Sequence, residues 1–260
     1  MKKAVCLVCL LALLAGLCSC GKNSAQLEAI RSEGVLRVGV KADVVGFGYM
    51  NPSTKELEGL EIDIAKMIAK ELLGDAEAVR LVPVTALTRE PMLENGELDL
   101  VIATFTITPE RQERFLFSQP YYTDEIGFMV KDESDLFSIA DLDGKTIGIA
   151  NSGTARAALE AEAAARGIQM NYQTFSSYPE IKAALLDGTV DAFSVDKSIL
   201  MGYSDESTRK LEEGFSPQDY GIATGKNKAD LAQFVDNLLG AMSKDGRLDE
   251  ILARWGHETK

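Results

Sequence analysis

The chain is poor in the side chains that carry most enzymatic chemistry. Among 260 residues there are one histidine, one tryptophan and four cysteines. The cysteines, at positions 6, 9, 18 and 20, all fall in the first twenty residues. Beyond Cys20 no thiol remains for a disulfide, a metal site or a nucleophile. The single histidine, His257, reads as a solvated tail residue rather than a base. Glycine-rich phosphate loops are missing. Gly144-Lys145-Thr146 imitates the end of one, but the glycine required five places earlier is Ile139. Positive charge is scarce too: 27 Lys and Arg stand against 40 Asp and Glu, a net −13. That excludes the basic footprint of a nucleic-acid binder. Carboxylates abound, so composition leaves an acid–base pair open.

What is present is a large apolar fraction, 46%, enough for one large domain or two small ones without disulfides. Lys2 and Lys3 precede the apolar run Ala4–Leu17. That run is short for a bilayer span and has the length of a secretory signal. Leu17-Cys18-Ser19-Cys20-Gly21 resembles a bacterial lipoprotein lipobox, which implies Cys20 as the lipidated first residue of the mature chain. Ordinary signal cleavage without a lipid is the alternative. Loss of residues 1–19 removes Lys2 and Lys3 and takes the charge from −13 to −15. A field of that sign repels an anion at long range, so only a local basic cluster can hold one.

The remaining chain alternates strand-like apolar runs with amphipathic helices, which makes the class α/β. Glu61–Leu73 places Ile62, Ala65, Ile68, Ala69 and Leu72 on one helical face and stops at Gly74. The stretch richest in binding groups follows a predicted strand, Leu98–Ala103. Thr104, Thr106 and Thr108 alternate, Pro109 suits the first helical position, and Arg111 falls in the first turn. Hydroxyls, free N–H groups and a guanidinium at one point suit a small carboxylate. A capped helix after a core strand is the plain alternative. Asn151-Ser-Gly-Thr-Ala155 is a small-residue loop that can offer N–H groups to an anion. An internal echo links these regions: Asn95–Thr104 parallels Asp187–Asp196, each with a polar residue eight places past a glycine. Two lobes built alike would set Thr104 and Asp196 across a cleft. Asp196 can accept from an ammonium or cap the next helix.

These motifs come with Gly59-Leu-Glu-Ile-Asp-Ile-Ala65, Phe117-Ser-Gln-Pro-Tyr-Tyr122, Val190–Leu200 and Tyr220-Gly-Ile222. Their order and spacing resemble the extracytoplasmic amino-acid-binding proteins of polar amino-acid ABC transporters (bacterial solute-binding protein family 3). The resemblance implies a two-lobed periplasmic-binding-protein fold of type II, with two hinge crossings and the ligand in the interlobe cleft. Carried over, residues 1–19 are the signal peptide and 20–26 the lipidated cysteine and tether. Residues 27–121 plus 220–260 form lobe one, 126–215 lobe two, and 121–125 and 216–220 the hinge.

The same resemblance implies roles. Arg111, Thr106 and the Thr104 backbone take the α-carboxylate. Ser152, Gly153 and Thr154 add donors from the other lobe, Asp196 takes the α-ammonium, and Phe47 packs on the ligand's aliphatic part. Lys41 faces the side chain at a position often acidic in glutamine- and basic-amino-acid-binding relatives. With Arg89 it resembles the aspartate/glutamate branch; a surface or lobe-bracing salt bridge with a nearby carboxylate is the alternative for Arg89. Gly46 stands where relatives often have proline. The expected protein is a lipid-anchored monomeric receptor, periplasmic or on the cell surface. It would deliver glutamate or aspartate to an ABC permease by hinge closure, with no cofactor, metal or nucleic acid. A neutral ligand, glutamine or cystine, is the alternative. A dehydratase-like enzyme on this scaffold is the reading from another class.

Overall fold

The computed structural model describes residues 25–257. The expected signal peptide and the lipidated Cys20 lie outside the described residues. Two sheets organise the rest. The first has five strands in the order Val79–Pro83, Leu36–Val40, Leu100–Ile102, Ala223–Gly225, Phe115–Phe117. The first three are parallel, and Ala223–Gly225 runs against both its neighbours. The second sheet follows the order Asn171–Phe175, Thr146–Ala150, Ala192–Asp196, Tyr122–Lys131, Thr208–Lys210. Phe215–Tyr220 also pairs with Tyr122–Lys131, antiparallel, with Tyr220 opposite Tyr122. The chain leaves the first sheet after Phe117 and returns to it after Tyr220, so its two crossings lie side by side. Helices cover both sheets, and the result is the two-lobed α/β fold.

Local chemistry explains how the elements start and stop. The helix Leu60–Leu73 ends at Gly74, which sits at φ 84 and donates its N–H to the Lys70 carbonyl, a left-handed cap. It begins after Gly59 at φ 135, where a Cβ would lie 2.0 Å from the Phe47 carbonyl oxygen. Only glycine fits there. Pro109 opens its helix, and the Thr108 hydroxyl accepts from the Arg111 N–H.

Three expectations change. The run Leu98–Ala103 contributes only Leu100–Ile102 to the sheet. The run Tyr220–Thr224, which reads as one strand in the sequence, is split: Tyr220 ends a strand of one sheet and Ala223 starts a strand of the other. An apolar run looks continuous even where the chain changes sheets. His257 is not a solvated tail residue. Its ring centroid lies 4.4 Å from that of Phe47 and 5.1 Å from that of Tyr122, and burial lowers its pKa.

Candidate functional site

Parallel strands Leu36–Val40 and Leu100–Ile102 of one sheet, and Thr146–Ala150 and Ala192–Asp196 of the other, end at a common cleft. Ligands of open α/β sheets bind at such carboxyl ends. A narrow cavity with about 20 Å³ of water-sized space lies there, walled by Arg89, Thr104 and Thr106 from one lobe and Gly153, Thr154, Tyr178 and Asp196 from the other. Thr104 and Asp196, the paired positions of the internal echo, both line it. Past Thr106, Gly153 and Thr154 the cavity continues into an open groove of about 570 Å³ beside Arg111 and Ser152. At its other end, past Ala86 and Tyr178, lies a tight recess, without room for a water molecule, beside Lys41, Ser176 and Ser177. The cleft therefore runs from Lys41 to Arg111, with Asp196 and Arg89 between them.

The Arg111 end is a dense cationic corner. Arg111 is 7% exposed. Its guanidinium donates to the Thr106 carbonyl at 2.9 Å, to Glu90 Oε1 at 3.2 Å and, across the lobes, to the Ser152 carbonyl at 3.2 Å. Arg89 donates to the carbonyls of Ala103 at 2.7 Å and Thr104 at 3.2 Å, while its buried Nε has no partner. Both guanidinium carbons sit over the Phe105 ring, at 4.2 Å for Arg89 and 4.6 Å for Arg111. Burial, then Arg89, pulls the Arg111 pKa down to about 10, so it stays a cation near neutrality. Arg89 is buried and makes no salt bridge among the described residues, unlike the surface or lobe-bracing ion pair of the alternative reading.

Two carboxylates lie deep in the site. Asp196 accepts from the Tyr220 hydroxyl, which also reaches Asp124 at 3.3 Å. Burial, then the charge of Asp124, pushes Asp196 up to about 7. Glu61 is fully buried on the otherwise apolar face of Leu60–Leu73. Its Oε1 accepts from the Thr104 N–H at 2.5 Å and the Tyr121 hydroxyl at 2.6 Å, and Oε2 has no partner. Burial pushes it up to about 7 as well, against the pull of Tyr121, Thr104, Lys41 and Arg89. Thr104 itself holds φ 43, a left-handed conformation that disfavours a β-branched residue.

A family model for bacterial extracellular solute-binding proteins, family 3, matches residues 36–258. The chain belongs to this family. It is 37% identical over 233 residues to the ABC transporter glutamine-binding protein GlnH of Bacillus subtilis, covering 88% of this chain and 84% of that one. It is 39% identical over 222 residues to the glutamine-binding protein of Geobacillus stearothermophilus, covering 84% and 82%. The glutamate-binding protein GluB of Corynebacterium efficiens is 29% identical over 259 residues, covering 93% and 86%. Among solved structures, the cysteine-binding protein of Campylobacter jejuni superposes with a TM-score of 0.80 at 29% identity, covering 90% and 95%. These relatives are binding proteins rather than enzymes. Among the described residues no helix is long and apolar enough to cross a membrane.

Within this family fold, the residues singled out in the sequence separate into three groups. Arg89, Thr104, Thr106, Gly153, Thr154 and Asp196 line the inner cavity. Arg111 and Ser152 wall the groove that continues it, and Lys41 walls the recess. Phe47 lines none of these. It is fully buried, with its ring at 5.2 Å from Tyr122 and 5.9 Å from Tyr220, so it packs the hinge crossings. Lys41 is already engaged. Its Nζ lies 2.9 Å from Asp43 Oδ1 and 4.6 Å from the Tyr178 ring centroid. Sequence reasoning missed Glu61. Its spacing to Ala65, Ile68 and Leu72, which puts a carboxylate on the apolar helix face, was the available signal.

The two raised carboxylates dictate a pH dependence of stability. Between its ordinary carboxylate value and about 7, each is protonated in the native chain and ionised in the unfolded one. The native state then binds more protons, so stability falls as pH rises through that window. The ligand-free protein is expected to melt higher near pH 6.5 than near pH 8. His257, lowered by burial, opposes the trend only below its ordinary value of about 6.5. A melting temperature that rises with pH over this range contradicts the assignment.

Proposed function

We propose that the protein is an extracytoplasmic receptor for L-glutamine that serves an ABC permease. The α-carboxylate lies at the Arg111–Thr106 corner with the donors of Ser152–Thr154, the α-ammonium on Asp196, and the side chain toward Lys41. Closure follows from one ligand touching both lobes. The observation that carries the choice of glutamine is the Lys41–Asp43 ion pair. Lys41 argued for an acidic ligand only while it lacked a carboxylate partner, and Asp43 stands 2.9 Å away. The glutamine-binding relatives, at 37% and 39% identity, support the same reading.

A dicarboxylate is the second reading, favoured by the unpartnered Arg89 Nε. Calorimetric titration with glutamine, glutamate, aspartate and cystine, after refolding to strip bound ligand, separates the two. Glutamine binding at least tenfold tighter than glutamate supports the proposal, and the reverse order overturns it. We also infer that Cys20 carries a lipid anchor. A Cys20→Ala chain expressed in a bacterial host is then expected to move from the membrane fraction to the soluble one. Retention on the membrane would sink that assignment.

A further inference from the structure

We propose that Glu61 is the residue that sets the charge of the side-chain end of the cleft, and so the choice between an amide and a carboxylate. The inference rests on the reading of the cleft given above, with the ligand side chain toward Lys41.

A fully buried carboxylate is unfavourable unless something requires its charge. The fold does not. Only Oε1 does structural work, taking the Thr104 N–H and the Tyr121 hydroxyl. A glutamine carbonyl could accept the same two bonds. The second oxygen has no hydrogen-bond partner. The charged groups acting on Glu61 are Lys41, from the end of its strand, and Arg89, from the helix Arg89–Glu94. The rest of the protein offsets the two unequally. Lys41 shares Asp43, a quarter exposed, and Arg89 pairs with no carboxylate among the described residues.

The balance of charge follows from those four groups. Two cations meet two carboxylates, Asp43 and Glu61, so above about pH 7, where Glu61 is ionised, this end of the cleft is close to neutral. A neutral amide enters it without upsetting that balance. A ligand carboxylate brings a third negative charge into a low-dielectric space, where repulsion is strong. Without the charge of Glu61, the same recess has one uncompensated cation and suits a carboxylate.

Glu61 also holds the wall that meets the ligand. It grips the Thr104 N–H while Arg89 grips the Thr104 carbonyl, which pins Thr104 at φ 43 with its hydroxyl unpartnered at the cavity. Two effects of one side chain must therefore be separated. Loss of positioning weakens every amino-acid ligand alike, whereas loss of charge changes the ratio between two ligands of the same shape.

The test is the ratio of glutamate to glutamine dissociation constants, measured by calorimetry on the purified protein. E61Q keeps the shape and removes the charge. It is expected to shift the ratio at least tenfold toward glutamate. Lys41→Met removes a cation and is expected to shift it several-fold toward glutamine, which keeps the idea testable if E61Q fails to fold. In the wild type the ratio should move toward glutamate as pH falls through about 7, because Glu61 takes up a proton there. In E61Q it should stay flat. Asp196 titrates in the same range but faces the ammonium common to both ligands, so it cancels. A wild type that prefers glutamate overturns the ligand reading. A glutamine-preferring wild type whose ratio is untouched by E61Q, or by pH when E61Q does not fold, overturns the role of Glu61 alone.

Discussion

Replacing Arg111 with alanine is expected to weaken amino-acid binding by on the order of 3–5 kcal/mol, the usual result of removing one partner of a buried ion pair. That is roughly two to three and a half decades in Kd. The loss has two sources. Arg111 supplies a guanidinium at the corner where the α-carboxylate is placed, and it ties the lobes together through the Ser152 carbonyl. Alanine removes both a cation at that corner and the contact to the Ser152 carbonyl. Lysine should restore little, since one ammonium cannot reach Thr106, Glu90 and Ser152 together. The fold should survive, because Glu90 keeps Arg114 at 2.5 Å. Calorimetry with a thermal melt on the same sample checks both halves. A loss of less than tenfold with an unchanged melt would remove Arg111 from the binding machinery.

Asp196→Asn is expected to move binding and stability in opposite directions. Asparagine keeps the shape and an acceptor but not the charge that faces the ammonium. The loss of affinity should be about 2–4 kcal/mol, in the range for truncating a buried charge pair. The ligand-free protein should gain stability at alkaline pH. Asp196 is raised to about 7 by burial, and each unit of such a shift corresponds to roughly 1.4 kcal/mol. The penalty is full above pH 7 and is relieved as pH falls toward the ordinary carboxylate value, so the gain should shrink on acidification. A bound ammonium keeps Asp196 ionised, so wild-type binding should release a proton below pH 7 and weaken as pH falls. Titrations in buffers of different ionisation enthalpy read that proton directly. Equal affinity of the Asn variant and the wild type would refute the ammonium assignment.

Much of this site was legible in the chain. The threonine loop before Pro109 and the echo between Asn95–Thr104 and Asp187–Asp196 are local patterns. Local patterns survive folding, because strand ends and helix starts are decided within a few residues. The short strands of the hairpins, Asp43–Val44, Gly48–Met50 and Leu57–Glu58, were not legible. Two or three residues hold no periodicity. The placement of Phe47 in the hinge was also hidden, since an aromatic beside glycines reads the same whether it faces a ligand or the tyrosines of a crossing.

The sequence by itself determined the class of fold, the scarcity of thiols and histidine, the lack of a phosphate-loop motif, and the polar residues gathered at strand ends. Those follow from composition and short-range spacing. Only the tertiary structure decided which charges meet. Lys41 and Arg89 looked alike as free cations in the chain. In the fold Lys41 stands on Asp43, Arg89 has only backbone carbonyls, and Glu61 arrives from a helix to act on both. Coulomb energy depends on separation and burial rather than on order along the chain, so the charge of the cleft could be read only after the chain had closed around it.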